Sequence, residues 1–157
     1  KQALRQQQLK YYDSGLIPED MRNRRATKHG LTLYELVRDP QLYPLEQYLD
    51  AADLALTADS AKLPQFVKNL TNPDGGIRWW AINGLKNLGS KAKPAQKEIL
   101  HAAHNDPAQE VRILAAWILH DFGDVETYRE IINSIKKTGI ESKSHYETTV
   151  KLVDSKS

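Results

Sequence analysis

The chain has 157 residues, of which 40% are hydrophobic and 27% charged, and this length suits one domain with a substantial hydrophobic core. The formal net charge of +2 does not by itself call for a nucleic-acid or anionic-membrane partner. The absence of cysteine excludes a disulfide framework and a thiolate metal site, and no apolar run approaches membrane-spanning length.

Apolar residues recur at spacings of three and four along the chain, which predicts an all-α protein. In chain order, the predicted helices span residues 2–12, 18–25, 33–37, 44–56, 62–70, 76–88, 94–104, 108–122, 125–137 and 142–153. Thr32 with Glu35 forms a capping box, and Asp124 precedes the ninth of these helices. Gly84 lies inside a helical pattern, which indicates close helix packing at that position.

An internal repeat appears when the chain is shifted by 34 residues, because residues 72–89 then align with residues 106–123. Both copies follow the pattern [N/D]-P-x-x-x-[I/V]-R-x-x-A-x-x-x-L-x-x-x-G. Decayed copies follow Asp39-Pro40 and occupy residues 141–153. Since one helical hairpin cannot bury its apolar face alone, this repetition predicts a solenoid of stacked hairpins.

The repeat resembles HEAT and HEAT-like repeats, which implies a right-handed α-α superhelix of the HEAT or armadillo type. In that family, an Asp and an Arg six residues apart in the pattern bond along the stack from one repeat to the next. The second copy here has Asp106 and Arg112, whereas the first has Asn72 and Arg78. The resemblance therefore implies a structural role for both arginines, with a ladder that is incomplete at Asn72; ligand binding is the alternative.

Helical-wheel positions predict one continuous core for the six apolar residues that the two copies share, which are Ile77, Ala81, Leu85, Val111, Ala115 and Leu119. Trp80 is expected in this core, in the space left by Gly84. Trp79, Trp117 and Ile113 are expected to point away from it. Two interpretations of Trp79 and Trp117 stay open. Either a terminal helix of this chain covers them, or they form an aromatic docking strip for another domain or a glycan.

No catalytic constellation emerges from the motifs. The chain has no G-x-S-x-G, no phosphate-binding glycine loop followed by lysine, and no H-E-x-x-H. His101 and His104 could share a metal, but a convincing site needs at least three ligands, so we predict none. HEAT-like iron hydroxylases carry repeated His-Glu pairs, whereas the histidines at 104 and 120 precede Asn105 and Asp121.

The densest charge lies in residues 21–25, extended by Lys28 and His29. Such a cluster is typical of a solvated face or of a seam with a neighbouring domain. Arginine also binds sulfate and carboxylate through two parallel hydrogen bonds. Arg22, Arg24 and Arg25 are therefore candidate docking or glycan-binding residues, together with Trp79 and Trp117.

Four segments carry a more specific resemblance: YDSGLIPEDM at 12–21, YELVRDP at 34–40, DAADLA at 50–55 and IRWWA at 77–81. Together they resemble the region that follows the catalytic domain in bacterial sulfatases of the heparan N-sulfatase-like or arylsulfatase-like type. The resemblance implies that residues 1–31 form a helical linker after a catalytic domain and that residues 32–157 form HEAT-like repeats. The chain opens on Lys1 rather than methionine, which fits a piece of a longer protein.

Sulfatases use a formylglycine made from a C/S-x-P-x-R motif, beside a calcium ion, and neither that motif nor any cysteine occurs here. The resemblance thus implies a non-catalytic C-terminal domain without its own cofactor, belonging to a periplasmic or secreted hydrolase of sulfate esters or sulfamates. Its expected partners are the calcium-bearing catalytic domain of the same chain and a sulfated glycan, with no nucleic acid and no membrane. The alternative is a free-standing HEAT-like scaffold that binds a protein partner.

Overall fold

The computed structural model describes residues 15–156, and in this part of the chain helices are joined by turns and loops, without a β-strand. Its α-helices are α1 Glu19–His29, α2 Leu33–Leu36, α3 Leu45–Leu56, α4 Leu63–Asn69, α5 Gly75–Leu88, α6 Gln96–Asn105, α7 Gln109–Asp121, α8 Val125–Thr138 and α9 Lys143–Asp154. Two 3₁₀ segments, Ser60–Lys62 and Gly89–Ala95, precede α4 and α6. The prediction of an all-α protein is confirmed for the described residues, while the predicted helix at 2–12 lies outside them.

Side-chain caps fix several helix starts. Thr32 accepts from the Glu35 amide while the Glu35 side chain accepts from the Thr32 amide, which completes the predicted capping box of α2. Asp124 accepts from the Thr127 amide at the start of α8. Asp74 accepts from the Gly76 amide at the start of α5. These short polar residues satisfy amides that a helix leaves free in its first turn, so the predicted starts are close to the observed ones.

Helix α7 lies at the centre of the packing and contacts α5, α6, α8 and α9. For this reason the expectation that Ile113 points outward is wrong: its side chain is fully buried. A helical wheel assigns one buried face to each helix, whereas α7 is covered from several sides. The six shared apolar residues of the two copies are all buried, as predicted.

These six residues do not form one continuous core. Ile77 belongs to a cluster with residues of α1 to α3, whereas Leu85, Val111, Ala115 and Leu119 belong to a second cluster around α7. Trp79 and Trp80 are half-buried and pack against both clusters. The division follows from α1 to α3, which bring their own apolar residues to the start of α5.

Gly84 is required because the ring of Phe66, from α4, occupies the space where its Cβ would lie. The predicted close packing is therefore confirmed, but Phe66 rather than Trp80 fills the space. Trp80 instead donates a hydrogen bond from its indole nitrogen to the backbone oxygen of Leu16, at 2.7 Å. A Cβ on Gly76 would likewise lie 2.7 Å from atoms of Ile17 and Tyr48, so the start of α5 packs closely against Ile17, which precedes α1, and against Tyr48 of α3.

Candidate functional site

The cationic residues of α1 line a cleft of about 400 Å³ that faces the starts of α5 and α7. The α1 residues that line it follow helical spacing and therefore share one face of the helix. They are Met21, Arg24, Arg25, Lys28 and His29. The opposite side of the cleft contains Asp74, Gly75, Arg78, Pro107 and Ala108.

Arg25 connects α1 to the start of α5. Its Nη1 donates to the Leu42 backbone oxygen and the Tyr48 hydroxyl, both at 2.6 Å, and to Asp74 Oδ2 at 3.2 Å. The Tyr48 hydroxyl in turn donates to the Asp74 carboxylate at 2.9 Å. Burial raises the pKa of Tyr48, with Arg25 opposing the rise and Asp74 adding to it, so the hydroxyl keeps its proton and remains a donor.

Arg24 connects α1 to the start of α7. Its Nη2 lies 2.8 Å from both carboxylate oxygens of Glu110, whose side chain is fully buried. The Arg24 side chain keeps 35% of its surface exposed, and its Nε lies 4.0 Å from a carboxylate oxygen of Glu141. Its Nη1 is buried and has no hydrogen-bond partner in the described part of the chain. The buried carboxylate of Glu110 requires a positively charged partner, and its pairing with Arg24 also fixes the position of the guanidinium group.

Arg78 of the first copy connects it to Asp106 of the second. Nε donates to Asp106 Oδ2 at 2.9 Å and Nη2 donates to Oδ1 at 3.2 Å, the two-pronged geometry that suits a carboxylate. Nη1 donates to the backbone oxygens of Asn72 and Pro73. Asp106 also accepts from the Ala108 amide, so one carboxylate both caps α7 and binds Arg78. This pair therefore joins the two copies of the 34-residue pattern.

At the first copy, Asp74 rather than Asn72 accepts from the upstream arginine. Asn72 Oδ1 instead accepts from the Asp74 amide at 2.8 Å and so shapes the turn. The sequence analysis missed Asp74 because the 34-residue alignment points to Asn72. The Asp-Gly-Gly sequence at the start of α5 could have pointed to Asp74, since aspartate is a preferred N-cap residue.

The predicted docking residues divide between two places. Arg24 and Arg25 line the cleft, whereas Arg22 does not. Lys28 and His29 line it too, although the sequence analysis did not select them as site residues. Their spacing of four from Arg24 and Arg25 was the signal that could have found them.

Trp79 and Trp117 lie away from the cleft and are both half-buried. Trp79 donates from its indole nitrogen to His145 Nε2 at 3.0 Å, so helix α9 contacts it. This contact favours the interpretation that a terminal helix of this chain covers the ring of Trp79. The ring of Trp117 lies under Lys86 Nζ, 3.8 Å from its centroid, which is the geometry of a cation–π contact.

The histidine candidates do not converge on a metal site. His101 and His104 are both exposed, and a ring nitrogen of His101 lies 3.4 Å from the Asn105 amide nitrogen. Within residues 15–156, no three His, Asp or Glu side chains are arranged to hold a metal ion. None of the helices described here is both long enough and apolar enough to cross a membrane.

The cleft is thus a cationic surface whose arginines are held by carboxylates from two other helices. Such an arrangement can join helices, bind an anion, or do both. Comparisons of this chain with known proteins find no matching family model, no matching curated protein and no matching solved structure.

Proposed function

We propose that this chain is a non-catalytic helical-repeat domain, a HEAT-like right-handed α-α superhelix, that packs on the catalytic domain of a sulfatase. The observation that carries the proposal is the Arg78–Asp106 pair between two copies of the 34-residue pattern. Contacts between each repeat and its neighbours are what stabilise a stack of hairpins.

The sulfatase-like segments support the second half of the proposal because they pack together although they are distant in sequence. Leu16, in the segment at 12–21, accepts the hydrogen bond from Trp80, in the segment at 77–81. Helix α3, which contains the segment at 50–55, packs on α5. The segments that carry the resemblance therefore lie against one another in the structure. This suits a domain that supports catalysis performed elsewhere.

Two measurements test this proposal. The coding sequence upstream of Lys1 is expected to contain a C/S-x-P-x-R motif. The purified full-length protein is expected to hydrolyse an aryl sulfate in the presence of calcium, whereas residues 1–157 alone are expected not to. Turnover by residues 1–157 that co-purifies with the chain through further steps would contradict the proposal, as would an upstream sequence without the motif.

A second candidate is a free-standing HEAT-like scaffold, which the exposed apolar residues Tyr34 and Leu56 favour. These residues are 66% and 71% exposed, so their apolar surface is accessible to a protein partner. An upstream sequence without a hydrolase motif would favour this candidate. Cross-linking of lysines of this domain to the catalytic domain of the full-length protein would favour the first.

A further inference from the structure

We propose that the cleft between α1 and the starts of α5 and α7 binds an oxyanion, a sulfate or carboxylate group, carried by a ligand about the size of one sugar unit. The proposal concerns a ligand of this domain itself and does not depend on the sulfatase assignment. It rests on the charge, the exposed cationic side chains and the size of the cleft.

The residues that line the cleft are strongly cationic. Arg24, Arg25, Lys28 and Arg78 contribute four formal positive charges, and Asp74 contributes one negative charge. The carboxylates of Glu110 and Asp106 do not line the cleft and are 0% and 4% exposed. A ligand in the cleft therefore meets guanidinium and ammonium groups, while two of the neutralising carboxylates lie behind them. This charge distribution favours an anion.

The carboxylates also hold two arginines ready for a ligand. Glu110 engages Nη2 of Arg24, and Asp106 engages Nε and Nη2 of Arg78. A side chain already fixed by such a pair loses less conformational entropy when it binds a second group. Both guanidinium groups are therefore preorganised at the edge of the cleft.

Exposed cationic groups remain in this arrangement. The Arg24 side chain is paired with Glu110 through Nη2 and still keeps 35% of its surface exposed. Lys28 is exposed at the cleft, with its ammonium group available for a ligand. A bound oxyanion would contact the Lys28 ammonium group and the exposed part of the Arg24 side chain. The starts of α5 and α7 contribute less, because Asp74 and Asp106 already cap them.

The size and floor of the cleft favour an organic oxyanion over a bare ion. Its volume of about 400 Å³ lies in the range of small-molecule sites and exceeds what one sulfate would fill. Met21, Leu42, Pro107 and Ala108 add apolar surface to the lining. A sugar ring has apolar faces that can pack on such a surface while its sulfate or carboxylate contacts the arginines.

The test is a titration of the ¹⁵N-labelled chain, followed by NMR, with N-acetylglucosamine 6-sulfate, unmodified N-acetylglucosamine, sodium sulfate, sodium phosphate and a hexaglutamate peptide. The sulfated sugar is expected to shift the amide signals of α1 and of Gly75 and Ala108, and the unmodified sugar is expected to shift none. Equal binding of free sulfate or phosphate would overturn the sugar unit. Tighter binding of the peptide would assign the cleft to an acidic protein instead.

Variants separate the cleft from general surface charge. Lys28→Glu should raise the Kd for the sulfated sugar about 10-fold or more, because a like charge now faces the anion. The matched control, Lys91→Glu, reverses an exposed lysine outside the cleft and should change the Kd less than about twofold. Equal effects of the two variants would overturn the proposal.

Arg24→Lys tests the guanidinium group directly. It keeps a positive charge beside Glu110 but removes the planar fork of donors, so the Kd should rise about 5-fold, while the thermal unfolding midpoint stays close to that of the unsubstituted chain. A chain that unfolds cooperatively and binds the sulfated sugar as tightly as before would show that Arg24 serves only to join the helices.

Discussion

Two successive steps of the same repeat are joined in different ways. At the first joint, Arg78 binds Asp106 through two hydrogen bonds. At the second joint, 34 residues later, Arg112 and Ile140 take these positions, and Arg112 Nε is buried without a partner in residues 15–156. The joint is instead made by Gln109, whose amide donates to the Gly139 oxygen and accepts from the amides of Glu141 and Ser142.

The second joint continues as a chain of neutral hydrogen bonds back to α5. The Ser142 hydroxyl lies 3.1 Å from His145 Nδ1, and His145 Nε2 accepts from Trp79 at 3.0 Å. The comparison shows that one structural task, fixing a helix start to the following turn, can be performed by an ion pair or by a buried amide. The two solutions should respond differently to mutation and to pH.

The largest effect is expected from breaking the first joint. Asp106→Ala leaves Arg78, whose side chain is 12% exposed, without its carboxylate and removes the cap of Ala108. The free energy of unfolding should fall by about 3–5 kcal/mol, as when one partner of a buried pair is removed. Urea titration measures it. The control Glu98→Ala, at an exposed position, should change stability by less than about 0.5 kcal/mol.

A smaller loss is expected at the second joint. Gln109→Leu keeps the volume of the buried side chain but leaves the Gly139 oxygen and two backbone amides without their partner. The cost should be about 1–3 kcal/mol. Hydrogen exchange should accelerate in residues 139–145 and remain unchanged in residues 72–78. Equal acceleration at both joints would show that they are not independent.

Acid should weaken the second joint. Burial lowers the pKa of His145 below its ordinary value of 6.5, although Glu110 and Asp20 oppose the shift and Arg24 adds to it. The unfolded chain therefore binds a proton more readily, so stability falls as the pH drops below about 6.5 and through the folded pKa. Protonation also removes the acceptor for Trp79.

His145→Gln provides the test, because a glutamine oxygen can accept from Trp79 without titrating in this range. The free energy of unfolding, measured with urea at pH 8 and at pH 5, should differ less for this variant than for the unsubstituted chain. An identical pH dependence in both would mean that other groups cause it, and His145 would then have no part in the acid response.

The smallest effect is expected from converting the second joint into the first kind. Ile140→Asp places a carboxylate at the repeat position that Asp106 occupies one step earlier, and Ile140 is 44% exposed. An ion pair with Arg112 at such a position should add about 0–1 kcal/mol. Ile140→Asn is the neutral control. Stabilisation by asparagine equal to that by aspartate would show that charge is not the reason.

Local features of this protein could be predicted from its sequence. Apolar spacing and capping residues act within a few residues, so the helix ranges and the Thr32 cap agree with the structure. The 34-residue repeat also pointed to Asp106 and Arg78, because a repeated pattern places equivalent residues at equivalent sites.

Contacts between distant parts of the chain were decided only by the tertiary structure. Arg24 and Glu110 are 86 residues apart, and nothing local to either one selects the other. Ile113 is buried because α7 has neighbours on several sides, and Trp79 meets His145 because α9 returns to α5. Periodicity identifies which face of a helix is apolar, but the packing of all the helices decides what covers the other faces, since burial depends on every neighbour at once.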